Sequence, residues 1–170
     1  MRKPKPLENE TEAFAYALRL LARRAYTSFE LEKKFRLRAL PDSTASQVLD
    51  RLRAKKFLND RNLAEQFVLS RADLRWSPFR IQKALTLKGI PREMLQALLQ
   101  ESFSGDRETQ SARETLEKQK QRFLRKKTRK APDFRRKAWE HLRRRGFSNE
   151  AARLAVKDVF GYNSRLPEEE

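Results

Sequence analysis

Chemistry on a protein surface needs nucleophiles, acid–base pairs, metal ligands or phosphate cradles. This chain is poor in all four. It has one histidine, His141, and no cysteine. A thiolate nucleophile, a disulfide framework and a zinc ribbon are therefore excluded. One imidazole cannot build a multi-histidine metal site or a histidine pair for proton transfer. His141 stands between Glu140 and Leu142 with no nucleophile or second ligand assignable to it. It reads as a packing or surface residue rather than a catalyst or pH switch. Asp42, Asp50, Asp60 and Asp73 are dispersed over more than one expected helix, so metal-dependent hydrolysis lacks its carboxylate cluster. The glycines, Gly89, Gly105, Gly146 and Gly161, are too scattered to form a phosphate-cradling loop. No catalytic residue, cofactor or metal is expected, and the chain reads as a binding protein, not an enzyme.

What the chain holds in quantity is positive charge. Across 170 residues, 40 Lys and Arg face 23 Asp and Glu, a net charge of +17. Such an excess implies an acidic partner, either nucleic acid or an acidic protein surface. The charge is uneven: +6 over residues 12–58, +2 over 59–103 and +10 over 108–160. The densest runs are Arg125-Lys126-Lys127-Thr128-Arg129-Lys130, Arg135-Arg136-Lys137 and Arg143-Arg144-Arg145. Cations at a helix C-terminus gain about 0.3–1 kcal/mol from the macrodipole, which accounts for part of the last run without a ligand. Aromatic residues rarely interleave with these runs, so a base-stacking platform is not indicated. No helix carries the short polar side chains of a sequence reader. Charge and expected exposure select Arg23, Arg24, Lys33, Lys34, Arg36, Arg75, Arg80, Lys83, Arg125, Lys126, Lys127, Arg129, Lys130, Arg135, Arg136, Arg143 and Arg144 as candidate contacts. Tyr26 and Trp76 each precede a helix cap and read as hydrophobic staples; exposed, either would anchor a partner.

These side chains must be positioned by helices, because strand alternation is absent over any useful length. Phe14, Ala17, Leu18 and Leu21 follow the spacing of one helical face. Thr27-Ser28-Phe29-Glu30 has the form of a capping box, and Ser77-Pro78 sets a cap before a proline at the first helical position. Asn59-Asp60, Asp106 and Ser148 are further N-cap candidates, and Gly89 and Gly146 are stops. The resulting map has nine helices, at 11–24, 28–38, 43–55, 60–73, 78–88, 91–101, 107–128, 132–145 and 149–159. Leu31, Phe35 and Leu40 align with Ile81, Leu85 and Ile90 at a shift of 50, then with Ala138, Leu142 and Phe147 at a further 57. The fold class is therefore all-α, as three tandem three-helix repeats over 12–58, 59–103 and 108–160. A flexible basic tail is expected over 1–11 and an acidic one over 161–170. Each repeat buries few side chains, at about 1.5–3 kcal/mol apiece, so neighbours should pack end to end in an elongated, curved array. No apolar run approaches the roughly 20 residues needed to span a bilayer. The basic start lacks the apolar core of a secretion signal, and a cytoplasmic protein with no membrane partner is expected.

Tyr26-Thr-Ser-Phe-Glu-Leu-Glu-Lys-Lys-Phe35, Val48-Leu-Asp-Arg-Leu52, Phe57-Leu-Asn-Asp60, Ala64-Glu-Gln-Phe67, Ser70-Arg-Ala72, Arg80-Ile81 and Lys88-Gly-Ile90 occur in the order and spacing of a known family. Over 12–103 the chain resembles the RecX family, regulators of the RecA recombinase; over 108–160 the likeness is weaker. The resemblance implies tandem three-helix repeats and no catalysis. It also implies binding to RecA and RecA–DNA filaments in the helical groove, with inhibition of recombinase and coprotease activities and so of recombination and the SOS response. A monomer is expected, with single- or double-stranded DNA as a further partner. The alternative is a general DNA-binding or architectural module. Three residues depart from the family pattern. Lys56 stands where the family has Gly, Ala39 where the other repeats have Gly, and Ala84 where the family has an acidic residue.

Overall fold

The computed structural model describes residues 5–103, 106–125 and 132–161. Among them are ten helices and no strand: α1 (Glu10–Leu21), α2 (Ser28–Arg36), α3 (Asp42–Ala54), α4 (Asp60–Asp73), α5 (Pro78–Leu87), α6 (Arg92–Ser102), α7 (Arg107–Glu117), α8 (Lys120–Arg125), α9 (Pro132–Arg144) and α10 (Asn149–Phe160). The chain forms two compact units. One takes residues 1–67 and 85–95, the other 68–84 and 96–170.

The first unit closes on Leu31 and Phe35 from α2, Val48, Leu49 and Leu52 from α3, and Ala13 and Ala17 from α1. The two alanines let α1 approach α3 closely. Leu7, placed by the sequence in a flexible tail, belongs to this core instead; it is 7% exposed and its N–H donates to the Arg38 carbonyl at 3.0 Å. An apolar side chain that finds a pocket outweighs the basic character of its neighbours. In the second unit, Ala112 and Leu116 of α7 meet Ala152, Ala155 and Val156 of α10, with Ala138 and Leu142 of α9 beside them.

Burial repeats with the sequence. Residues 31–40 and 81–90 follow the same order of buried, half-buried and exposed positions, and 138–147 follows it closely. The second-helix ends repeat as well. Ala39, Gly89 and Gly146 have φ of 54°, 77° and 84°. In each case the next N–H reaches back to the buried Phe35, Leu85 or Leu142 carbonyl, at 3.2, 3.1 and 3.2 Å. This is the Schellman arrangement, which satisfies the last carbonyls and turns the chain out of the helix. Lys56 and Arg75 end α3 and α4 the same way, each with φ 60°. Lys56 thus keeps the left-handed backbone suited to the family's glycine.

Most helix ends lie within one to three residues of the sequence reading, but one expected helix is divided. The single helix expected over 107–128 is two across its described part, 107–125, while 126–128 lie outside the described residues. The Gln119 N–H bonds the Leu116 carbonyl at 2.9 Å, three residues back, and this tightened turn separates α7 from α8. Asp106 is also not a side-chain cap: no such bond is present, and its carbonyl accepts from Gln110 N–H at 2.8 Å.

Candidate partner-binding surface

The start of α2 shows how the fold holds its surface. The Thr27 hydroxyl accepts from Glu30 N–H at 3.1 Å, and the Glu30 carboxylate accepts from Thr27 N–H at 3.1 Å, completing the expected capping box. Asp60 accepts the next amide, Ser28 N–H, at 2.8 Å, while Asn59 caps α4 through Asn62 N–H at 2.9 Å. The Phe57-Leu-Asn-Asp60 motif therefore serves two helix starts and buries Leu58. Three donors that the helix leaves orphaned are thereby satisfied.

A further link escapes the sequence reading. Thr27 is fully buried, and its hydroxyl donates to the Lys88 carbonyl at 2.6 Å. In the second unit Ser77, 1% exposed, donates to the Arg145 carbonyl at 2.7 Å and accepts from Arg80 N–H at 3.2 Å. Each hydroxyl caps its own helix and grips the last turn of the corresponding helix in the next repeat. The glycine after each gripped carbonyl lies beneath an aromatic ring. A methyl built on Gly89 would sit 2.3 Å from Phe29 Cβ and Cγ, and one on Gly146 would sit 2.9 Å from Phe79 Cδ1. The signal was present in the sequence as a recurring hydroxyl, a phenylalanine two residues on, and a glycine one repeat later.

Electrostatics reinforce this link in the first unit. Lys88 Nζ lies 3.0 Å from Glu30, and Arg24 lies 3.3 Å from the same carboxylate. Burial alone would raise the Glu30 pKa, but bonds from Lys88, the Thr27 amide and Arg24 hold it below the ordinary carboxylate value.

The candidate cations divide by what they touch. Arg135 donates to the Phe160 carbonyl at 2.7 Å, and Arg143 to the Phe147 carbonyl at 2.6 Å. Both satisfy main-chain acceptors and have a structural task. Arg75 is paired with Glu114. Arg24 lies 3.6 Å over Tyr26, Arg80 3.7 Å over Trp76, and Lys33 4.3 Å over Phe29. Tyr26 and Trp76 thus serve as half-buried platforms for arginine. Arg36 pairs with Glu32 at 2.7 Å and Asp42 at 3.7 Å, and Arg136 with Glu140 at 3.4 Å. Such exposed pairs contribute only about 0–1 kcal/mol and leave the cation open to exchange. Arg23, Lys34, Lys83 and Arg144 make no side-chain hydrogen bond or ion pair to another described residue. The side chain of Arg125, and all of Lys126, Lys127, Arg129 and Lys130, lie outside the described residues. Among the described residues no helix is long and apolar enough to cross a membrane.

Comparison with known proteins agrees with this architecture. Residues 13–52 match the model of the RecX first three-helix domain, and 59–99 that of the RecX second three-helix domain. The Regulatory protein RecX of Xanthomonas axonopodis pv. citri is 33% identical over 141 residues, 83% of each chain. That of Haemophilus influenzae strain PittEE is 28% identical over 152 residues, 89% of this chain and 94% of its own. That of Thermus thermophilus is 39% identical over 92 residues, 54% of this chain; the match spans only 63% of the relative. The crystal structure of RecX from Lactobacillus salivarius shares the fold, with a TM-score of 0.80 at 20% identity, covering 88% of this chain and 96% of that one.

Helices, caps and matches together define a chain built from tandem three-helix domains, whose relatives are named regulatory proteins. The chain belongs to the RecX family.

Proposed function

We propose that this chain binds RecA and RecA–DNA filaments and inhibits recombinase and coprotease activity. The supporting observation is its 33% identity to a Regulatory protein RecX over 83% of both chains. The reading assigns no catalytic step to the chain. It acts as a monomer in the cytoplasm, and the three segments 12–58, 59–103 and 108–160 each supply part of a distributed contact. Many weak contacts on linked modules give avidity without one deep pocket.

Within that surface the exposed cations do the binding. Arg23, Lys34, Lys83 and Arg144 lead, because no internal partner must be displaced. Arg24, Lys33, Arg36, Arg80 and Arg136 follow, since their exposed contacts exchange at small cost. Arg75, Arg135 and Arg143 contribute through the backbone and helices they hold. The run Arg125, Lys126, Lys127, Arg129 and Lys130 supplies long-range attraction to an acidic filament.

The test is RecA-driven ATP hydrolysis on single-stranded DNA with the purified chain added up to equimolar amounts. Inhibition supports the proposal; unchanged hydrolysis overturns it. The charge of +10 over 108–160 favours a second reading, a general DNA-binding module, which requires salt-sensitive affinity for naked DNA in the absence of RecA.

A further inference from the structure

We propose that the cleft between α8 and α9 is a phosphate-binding site whose occupancy is coupled to protonation of His141. The cleft has a volume of about 270 Å³ and is lined by Gln119, Arg122, Lys137, Glu140, His141 and Arg144. The four α9 residues recur at the spacing of one helical face, so the helix itself aligns them. Arg122 comes from α8 and Gln119 from the tightened turn before it. Phe123 meets the imidazole edge-on, with ring centroids 5.7 Å apart, and limits its rotation.

Two of the lining residues each carry a buried polar atom without a hydrogen-bond partner among the described residues: Nε2 of His141 and Oε1 of Gln119. An unpaired buried polar atom is costly, so a bound group that reaches Nε2 recovers what the fold forfeits there. The lining charges set the sign of that group. Arg122, Lys137 and Arg144 are cationic; Glu140 is the carboxylate, and Arg136 pairs with it at 3.4 Å. A tetrahedral phosphate group, with oxygens facing several directions, suits cations arriving from two helices better than a single planar carboxylate does.

His141 supplies the coupling. Burial first, then Arg145 and Arg144 on its own helix and Arg122 on α8, push its pKa below the ordinary value of 6.5. Glu140 on α9, paired with Arg136, and Lys137 on α9 also line the cleft, and Gln119 from the turn is neutral. From α10, Phe160 packs edge-on against Phe123 and adds no charge. An oxyanion held among the cations reverses that field. The imidazole then takes a proton and donates from Nε2 to a phosphate oxygen. The proposal stands on these residues alone and needs neither RecA nor a filament.

Because His141 is the single histidine, its imidazole resonance identifies itself in a proton spectrum. The full chain is titrated with acid in chloride, in inorganic phosphate, and with a short single-stranded oligonucleotide, all at matched ionic strength. The His141 pKa is expected to rise by about one pH unit or more over its chloride value, a tenfold preference of the anion for the imidazolium. A rise in both arms assigns the site to the phosphate group as such; a rise with the oligonucleotide alone assigns it to a nucleic-acid backbone. The double substitution Arg122→Ala, Arg144→Ala is expected to abolish the rise while helicity, followed by circular dichroism, is retained. No rise in either arm, or the same rise in a helical double variant, overturns the proposal. A single Arg144→Ala chain provides the same comparison should the double variant lose helicity. RecA inhibition is scored separately, so failure here leaves that reading to its own assay.

Discussion

One methyl group separates two glycines that occupy the same place in successive repeats. At Gly89 an added Cβ would strike Phe29 Cβ, which the main chain fixes, at 2.3 Å; at Gly146 the nearest atom is Cδ1 of Phe79 at 2.9 Å, on a ring 61% exposed. Both substitutions also strain a left-handed backbone, by about 1–2 kcal/mol. Gly89→Ala is therefore expected to lower the urea midpoint clearly more than Gly146→Ala; equal losses would contradict the assigned contact. Lys56 presents the converse case, an exposed lysine at φ 60°. Lys56→Gly relieves that strain against roughly 0.4–1 kcal/mol of extra chain entropy, so a net gain of up to about 1 kcal/mol is expected from denaturant unfolding. A loss of stability would show that Lys56 makes a contact worth more than its strain. The sequence foretold these turns in part: glycine and its replacements marked the stops at 39, 56, 89 and 146. It did not mark Arg75, because arginine carries no preference for positive φ. His141 gives a pH signature. With its folded pKa below 6.5, the unfolded chain takes the proton first, so stability rises with pH between the two values. In phosphate-free buffer the His141 contribution is full above about pH 6.5 and is lost as pH falls toward the folded pKa. His141→Gln is expected to flatten that slope, read from thermal midpoints; an unchanged slope would contradict the shift.

At the scale of the helix, local rules explain most of what was legible. Caps at Thr27, Ser77, Asn59 and Ser148 follow from short polar side chains ahead of apolar spacing, and each makes its bond. The split between α7 and α8 was hidden because Lys118 and Gln119 are ordinary helix formers, and only the bond to Leu116 tightens the turn. The onward grip of Thr27 on Lys88 was hidden for another reason: the partners are 61 residues apart, and no periodicity reports a side chain bonding a distant carbonyl. Thr27→Val removes a cap and leaves the Lys88 carbonyl without this donor, at about 2–3 kcal/mol together. Thr27→Ser keeps both bonds, as Ser77 does in its own unit, and is expected to cost far less. Equal costs for the two, measured by denaturant unfolding, would mean that the methyl group and not the hydroxyl matters.

For the molecule as a whole, composition points to an acidic partner but not to which cations are available to it. Both Arg135 and Arg143 looked identical to Arg144 in sequence, yet the first two are bound to main-chain carbonyls and the third is not. That distinction depends on tertiary packing around Phe160 and Phe147, which no run of charges encodes. The central claim is that this surface recognises a RecA-coated polymer, beyond the general attraction of +17 for any polyanion. It is tested most directly by fluorescence anisotropy of the labelled chain on naked and on RecA-coated single-stranded DNA, with salt raised in steps. Binding to the coated strand is predicted to persist at salt concentrations that strip the chain from naked DNA. Loss of both complexes at the same salt, with naked DNA bound as tightly as the filament, would contradict the account.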